Sequence, residues 1–304
     1  MPVATAIDGI VLLDKAAGLS SNEALQQVKR LFQARKAGHG GSLDPLASGM
    51  LPICLGEATK VAGALLDGRK CYEFVICLGA STTTGDLEGE LVEECPVPNL
   101  TADAAAATLA SFVGHREQVP PMHSALKHRG ARLYQLARRG IEVERAARAI
   151  HIRTLELVAL EPPRLTVRAV CSKGTYVRTL AVEIARALGS CGYVADLRRL
   201  WVEPFGAEPM ATLDALHAAA HDAQALARWL LPPDRGVQGW PRVDLDAEAA
   251  RRLLDGQAVT AAAGAASLVR TYGPAGRFLG IARRDQEGRV TARRLIADTR
   301  ERLL

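Results

Sequence analysis

Residues Gly38 to Lys60 read GHGGSLDPLASGMLPICLGEATK, and this stretch constrains the chain more than any other. Three glycines, His39 and Ser42 precede Asp44; Pro45, an Ala-Ser-Gly turn and a short apolar run follow it. Glycine allows tight or left-handed backbone and close approach to a ligand. Proline pushes the residue before it out of the helical region and can itself begin a helix. Asp44 is therefore expected at a fixed corner. Its carboxylate has two readings: a helix N-cap that accepts backbone N–H groups, or an exposed nucleophile or general base. A cap needs neither His39 nor a run of glycines, so the context favours chemistry.

The chain has 304 residues, enough for one large domain and a small one with a substantial core. Hydrophobic residues make up 48% and charged residues 23%, as in soluble globular proteins. The formal net charge is +5, a modest basic excess that fits nucleic-acid binding without establishing it. Six cysteines, at 54, 71, 77, 95, 171 and 191, form no CxxC pair. Reduced, mostly buried thiols in a cytoplasmic protein are expected. The N-terminus lacks a basic region and carries Asp8 within its apolar stretch, unlike a signal peptide. No apolar run reaches about 18 residues, so no membrane span is expected.

Gly9 to Lys15 reads as a short buried strand ending in charge. Ser20 with Glu23 predicts a capping box opening a helix whose apolar residues Ala24, Leu25, Val28, Leu31 and Phe32 follow at helical spacing. Cys71 to Gly79 predicts a strand with Tyr72, Phe74, Ile76 and Leu78 on one face. Thr101 to Phe112 is an alanine-rich helix. Between Lys127 and Arg153 stand eight Lys/Arg against two acids, a local net charge of +6 that suits either a solvated face or contact with an RNA backbone. Leu165 to Ser172 predicts another strand, and TYVRTLAVEIARALG a helix stopped by Gly189. Tyr176 and Arg178 fall at that strand-to-helix junction, where functional groups are common. His217 and His221 are spaced i, i+4 as on a helix, but no HExxH glutamate or third ligand accompanies them, and no metal is expected. The Pro- and Gly-rich stretch Leu231 to Pro241 marks a boundary, after which short strand-like pieces such as FLGIARR and RVTARRLI follow.

LDPLASGMLPICLGEATK closely resembles the catalytic motif of the bacterial tRNA pseudouridine-55 synthases, the TruB family. Five further blocks support the resemblance. LDKAAGLSSNEALQQVKR is similar to the family's LDKPxGxSS motif, with Ala16 in place of the usual proline; KCYEF and STTTGDLEGE match the next two, with Thr83 where aspartate is common; PPMHSALKHRGARLYQLAR and CSKGTYVRTL match two more. The resemblance covers residues 8 to 205 densely and the remainder loosely. It implies an α+β fold: a mixed, largely antiparallel catalytic sheet flanked by helices over residues 1–235, with a thumb-like RNA-binding insertion at about 124–153, and a small β-rich PUA-like module over residues 240–304.

It further implies isomerisation of the T-loop uridine of tRNA, with the tRNA T-arm as partner, no cofactor or metal, and a stand-alone chain, read as a monomer. Pseudouridine formation breaks the N1–C1′ bond, turns the uracil and rejoins it through C5, on a base taken out of its stack. By resemblance Asp44 is the essential carboxylate, attacking C1′ or C6 or acting as a base toward a glycal-like intermediate. Arg178 pairs with it and keeps it ionised. Tyr72 stacks on the base and is a candidate for helping remove the C5 proton, Tyr176 packs from the other side, and Leu197 floors the pocket, is plain core, or is both. His39 fills space beside the flipped nucleotide or is a turn histidine with no ligand. Lys15 either meets RNA phosphate or is a solvated surface lysine. Arg138 and Arg139 are placed on the RNA backbone, with Arg198 and Arg199 as further contacts. A competing reading is a tRNA-binding or folding protein with secondary or lost catalysis. A nucleotide-binding enzyme using GHGGS as a phosphate cradle fails because no Gly-Lys-Ser/Thr follows the glycines.

Overall fold

Capping and alternation signals decide where most elements begin in the computed structural model, which describes residues 7–124, 126–128, 130–137 and 139–296. Strand β1 (Gly9–Lys15) is buried along its length except at Asp14. Helix α1 (Ser21–Leu31) starts at the predicted capping box: Ser20 accepts from the Glu23 N–H while the Glu23 carboxylate accepts from Ser20. Its buried face is Ala24, Leu25 and Val28. The short β2 (Ala37–His39) and long β3 (Ser48–Leu55) flank the Asp44 corner. After α2 (Ala62–Asp67) come β4 (Lys70–Leu78), the hairpin strands β5 (Ala80–Thr82) and β6 (Leu91–Glu94), and α3 (Ala102–Ala110), capped by Thr101. β7 (Gly114–Gln118) leads into the expected insertion, which holds a small hairpin, β8 (Lys127–His128) and β9 (Ala131–Arg132), and one short helix, α4 (Leu133–Ala137).

The long strands β10 (Arg148–Glu161) and β11 (Arg164–Cys171) then form a hairpin, followed by α5 (Val177–Ala187) and β12 (Gly192–Val202). Helices α6 (Leu213–Ala218) and α7 (Ala223–Ala227) precede β13 (Leu230–Leu231). The chain ends in β14 (Arg242–Asp244), α8 (Ala247–Leu254), β15 (Val259–Thr260), β16 (Ser267–Tyr272), β17 (Phe278–Arg284) and β18 (Arg289–Leu295).

The residues group into two compact units, one of 1–45, 50–68 and 202–304 and one of 46–49 and 69–201. In the first, β13 runs antiparallel to β1, and β2 runs antiparallel to β3 with His39 opposite Ile53. The same unit contains a five-stranded sheet in the order β14-β16-β17-β18-β15, antiparallel except for β14 with β16. Its core comprises Val243, Leu253, Val269, Leu279 and Val290, all buried.

In the second unit the strand order is β12-β4-β11-β10-β7. β11 pairs antiparallel with β4, placing Ala169 opposite Tyr72, and β10 pairs antiparallel with both β11 and β7. The predicted alternation of β4 holds: Phe74, Ile76 and Leu78 are buried on one face, with Tyr72 half-buried at its start. α5 turns Leu180, Ala181, Ile184 and Ala185 inward. The first two residues of β3 also lie here, with Ser48 and Gly49 parallel to Arg198 and Arg199 of β12. Gly49 has φ +100°, and a Cβ at this position would stand 2.2 Å from the Arg199 carbonyl oxygen, so the motif's glycine is required by packing. A mixed, largely antiparallel sheet with flanking helices is thus what this α+β chain builds.

Two expectations are corrected. The cysteines are not all reduced: Cys95 and Cys191 are joined in a disulfide, while Cys54, Cys71, Cys77 and Cys171 are free. Spacing gave no hint, because the pair is 96 residues apart in sequence and is brought together by backbone bonds to Gly79. His217 and His221 do not share a helix, since α6 ends at Ala218 and Asp222 caps the next one. Among the described residues no helix is long and apolar enough to cross a membrane.

Candidate active site

In the first unit, Asp44 sits half-buried on a stretch with no regular structure. Its neighbours are held on both sides. The Ser21 hydroxyl accepts from the Leu43 N–H at 2.7 Å and donates to the Leu43 carbonyl at 2.9 Å. The Pro45 carbonyl accepts from the Gly18 N–H at 2.8 Å and from the Lys15 ammonium at 3.3 Å. Leu43 and Pro45, on either side of Asp44, are therefore tied to the end of β1, the turn after it and the start of α1. The N-cap reading of Asp44 is excluded, because a turn at Pro45–Leu46 and then β3 follow it, with no helix to cap. His39 ends β2, half-buried.

Lys15 corrects both of its sequence readings. It is fully buried, and its ammonium donates to the carbonyls of Ala16 at 2.8 Å, Leu19 at 2.7 Å and Pro45 at 3.3 Å. A buried ammonium needs such acceptors to offset its lost hydration. The side chain therefore fastens the 16–19 turn to the Asp44–Pro45 corner instead of meeting solvent or phosphate. Arg199 is corrected as well, since it is buried and cannot offer its guanidinium to RNA as a surface contact.

In the second unit, Arg178 occupies the first turn of α5 and is 4% exposed. Its guanidinium donates to the Thr84 carbonyl at 3.0 Å and the His123 carbonyl at 2.6 Å, and its Nε lies 3.5 Å from an Asp86 carboxylate oxygen. Asp86 is itself buried and accepts from the Thr84 hydroxyl at 2.5 Å and the Glu88 N–H at 3.1 Å. The loop carrying it is pinned to β12 by bonds between Gly85 and Val194 and between Leu87 and Val194. Thr83, where the motif usually has aspartate, accepts from the Glu90 N–H at 3.1 Å and so closes the hairpin. Arg178 also lines a cavity of about 320 Å³ bounded by Thr82–Gly85, Val119–His123 and α5, with Glu142 and Arg145 at its rim. Tyr72, Tyr176 and Leu197 do not line it.

Tyr176 is the residue just before α5, half-buried. The buried Gln118 side chain clamps it, accepting from the Tyr176 N–H at 2.8 Å and donating to its carbonyl at 3.2 Å. Leu197 is buried in β12. Arg139 is exposed on the turn after α4, and Arg138 lies outside the described residues. Sequence reading missed Asp86 and Gln118. The signal for Asp86 was available in its TTTGD context, a carboxylate among hydroxyls on a glycine turn; nothing marked Gln118.

Three family models match the chain in succession. Residues 29–177 match the N-terminal domain of the TruB family pseudouridylate synthases, residues 178–238 the C-terminal domain of tRNA pseudouridylate synthase B, and residues 241–296 the C-terminal domain of pseudouridine synthase II TruB. The chain is 50% identical over 292 residues to tRNA pseudouridine synthase B of Nitrosococcus oceani, covering 95% of each. It belongs to the TruB family. Similar TruB relatives are the tRNA pseudouridine synthase B of Aromatoleum aromaticum, 49% identical over 291 residues, or 96% of this chain and 93% of that one, and that of Sodalis glossinidius, 50% identical over 301 residues, or 97% and 96%. A solved Cbf5–Nop10–Gar1 complex holds a chain of the same fold, with TM-score 0.75 and 24% identity over 95% of this TruB chain and 84% of that one. This TruB-family chain is accordingly a pseudouridine synthase.

Proposed function

We propose that this chain isomerises uridine to pseudouridine in tRNA, at uridine-55 of the T-loop. The observation that carries the reading is the Asp44 loop: a half-buried carboxylate in the family's catalytic motif, with the residues on both sides fixed by Ser21, Gly18 and Lys15. Holding a reacting group in place removes the entropy of positioning from the barrier. The reaction exchanges one C–N bond for one C–C bond and moves a proton from C5 to N1. Asp44 acts on the flipped nucleotide at C1′ or C6, or as a base on a glycal-like intermediate. Tyr72 and Tyr176 take up the two faces of the uracil, with Tyr72 near the C5 proton. Leu197 supplies apolar wall, and His39 fills space beside the extruded nucleotide.

Arg178 has the role of keeping Asp44 ionised and oriented, as in the family motif it matches. Asp86, which faces Arg178 in the second unit, fixes the guanidinium for that task. Arg138 and Arg139 belong to a basic insertion suited to the tRNA backbone, and residues 240–304 to a PUA-like module suited to more distant RNA. A monomer working in the cytoplasm completes the proposal.

The test is a position-resolved pseudouridine assay on an unmodified tRNA transcript. Conversion at the T-loop uridine alone is expected. Tight binding without conversion at any position would move the reading to a tRNA-folding protein, and conversion only elsewhere would displace the substrate assignment.

A further inference from the structure

Cys95 follows β6 and Cys191 immediately precedes β12, and one residue holds them together. The Gly79 N–H donates to the Cys191 carbonyl at 2.9 Å, and the Gly79 carbonyl accepts from the Cys95 N–H at 2.9 Å. The Ser190 hydroxyl adds a bond to the Pro96 carbonyl at 2.9 Å. None of these bonds involves sulfur, so the two backbones are kept in register whether or not the cysteines are joined. Their Cα atoms are 5.7 Å apart, inside the range of about 4.4–6.8 Å that a disulfide needs.

The pair differs from three of the four free thiols, and Cys77, half-buried like Cys95, has no cysteine joined to it. Burial pushes the Cys54 thiol up to about 12 and those of Cys71 and Cys171 up to about 11, which leaves them almost no thiolate at neutral pH. Cys95 is half-exposed at the end of a strand whose four residues are all exposed, while Cys191 beside it is buried. An accessible attacking thiol next to a sheltered one is the arrangement of a reactive and a resolving cysteine.

We propose that Cys95 and Cys191 form a reversible oxidation site, closed by a peroxide, which clasps the β5–β6 hairpin to the start of β12. The Cys95 thiol gives up its proton, its thiolate attacks one peroxide oxygen, the O–O bond breaks, and a sulfenic acid forms while the departing hydroxide takes up that proton as one water. The Cys191 sulfur then attacks the Cys95 sulfur, the S–O bond breaks, and hydroxide leaves with the Cys191 proton as a second water. Two thiols are oxidised to one disulfide as one peroxide is reduced to two waters; a dithiol reverses it. The clasped hairpin carries Thr84 and Asp86, which hold Arg178. β5 and β6 pair with each other, and backbone bonds from Gly85 and Leu87 to Val194 join their loop to β12, so the clasp adds a covalent link to a segment held there by a few hydrogen bonds.

The full-length protein is reduced, desalted, treated with stoichiometric hydrogen peroxide and mapped by mass spectrometry after alkylation under denaturing conditions. The expected result is loss of two of the six thiols, a single intramolecular Cys95–Cys191 linkage, and backbone hydrogen exchange over residues 80–94 slowed about tenfold. Dithiothreitol should reverse both changes, Cys95→Ser should abolish both, and Cys77→Ser should affect neither. Six surviving thiols, sulfinic or sulfonic acid at either position, or linkage to another cysteine would overturn the proposal. So would about one zinc per chain whose chelation is needed to expose these thiols, since Glu93, Cys95 and Cys191 place ligand atoms within 4.8 Å of one another.

Discussion

Replacing Lys15 by methionine keeps most of the side-chain volume and removes the ammonium. Three carbonyls, those of Ala16, Leu19 and Pro45, then lose a charged donor at 2.7 to 3.3 Å. Hydrogen bonds to a charged group contribute about 1.5–3 kcal/mol each, and better accommodation of an apolar side chain at a fully buried site offsets part of the sum. The expected net loss is on the order of 4 kcal/mol in a denaturant titration of the full chain. The effect on turnover is separate. Pro45 loses a tether on the residue next to Asp44, and misplacement of a reacting group by about 1 Å can cost roughly a hundredfold in rate. Single-turnover conversion, measured where the variant remains folded, should fall by about ten- to a hundredfold with tRNA binding retained. A stability loss below about 1 kcal/mol would refute the account of the buried ammonium. A large stability loss with unchanged turnover would refute its link to the Asp44 corner.

Asp86→Asn preserves shape but removes the carboxylate facing the buried Arg178 guanidinium, so turnover should drop about tenfold or more with little change in tRNA affinity; equal single-turnover rates would make Asp86 a bystander. Gly49→Ala forces a Cβ to 2.2 Å from the Arg199 carbonyl oxygen at φ +100° and should cost roughly 2–3 kcal/mol, read from the denaturation midpoint; a change under about 0.5 kcal/mol would contradict the packing argument. Alkaline pH should destabilise the chain. Cys54 and Cys171 stay protonated in the folded state to about 12 and 11, whereas unfolded thiols ionise near about 8.5, so stability present below that pH is lost as pH rises through this window by about 1.4 kcal/mol per unit for each thiol. A flat stability profile between about pH 9 and 11 would refute it.

Local signals carried much of the architecture. The Ser20–Glu23 box, the alternation Phe74–Ile76–Leu78 and the inward face of α5 each depend on neighbours within a few residues, and each was legible. What the sequence concealed depends on distant partners. A lysine ending a strand reads as a surface group, and the carbonyls that receive Lys15 inside include that of Pro45, thirty positions on. Cys95 and Cys191 meet because Gly79 bonds to both, and no spacing rule encodes a third residue. The clamp on Tyr176 comes from Gln118, 58 positions earlier. In the candidate site the motif residues themselves were readable and the TTTGD context marked Asp86, but its partner Arg178, 92 positions on, shows only in the fold.

The role of the Asp44 carboxylate in the reaction is tested by single-turnover pseudouridine formation by Asp44→Asn beside the wild type, with tRNA binding measured on the same samples. No detectable conversion by the variant and binding within about threefold of wild type are expected, since an amide keeps the shape of the corner but cannot act as nucleophile or base. Wild-type conversion by Asp44→Asn would contradict that role and remove this carboxylate from the mechanism.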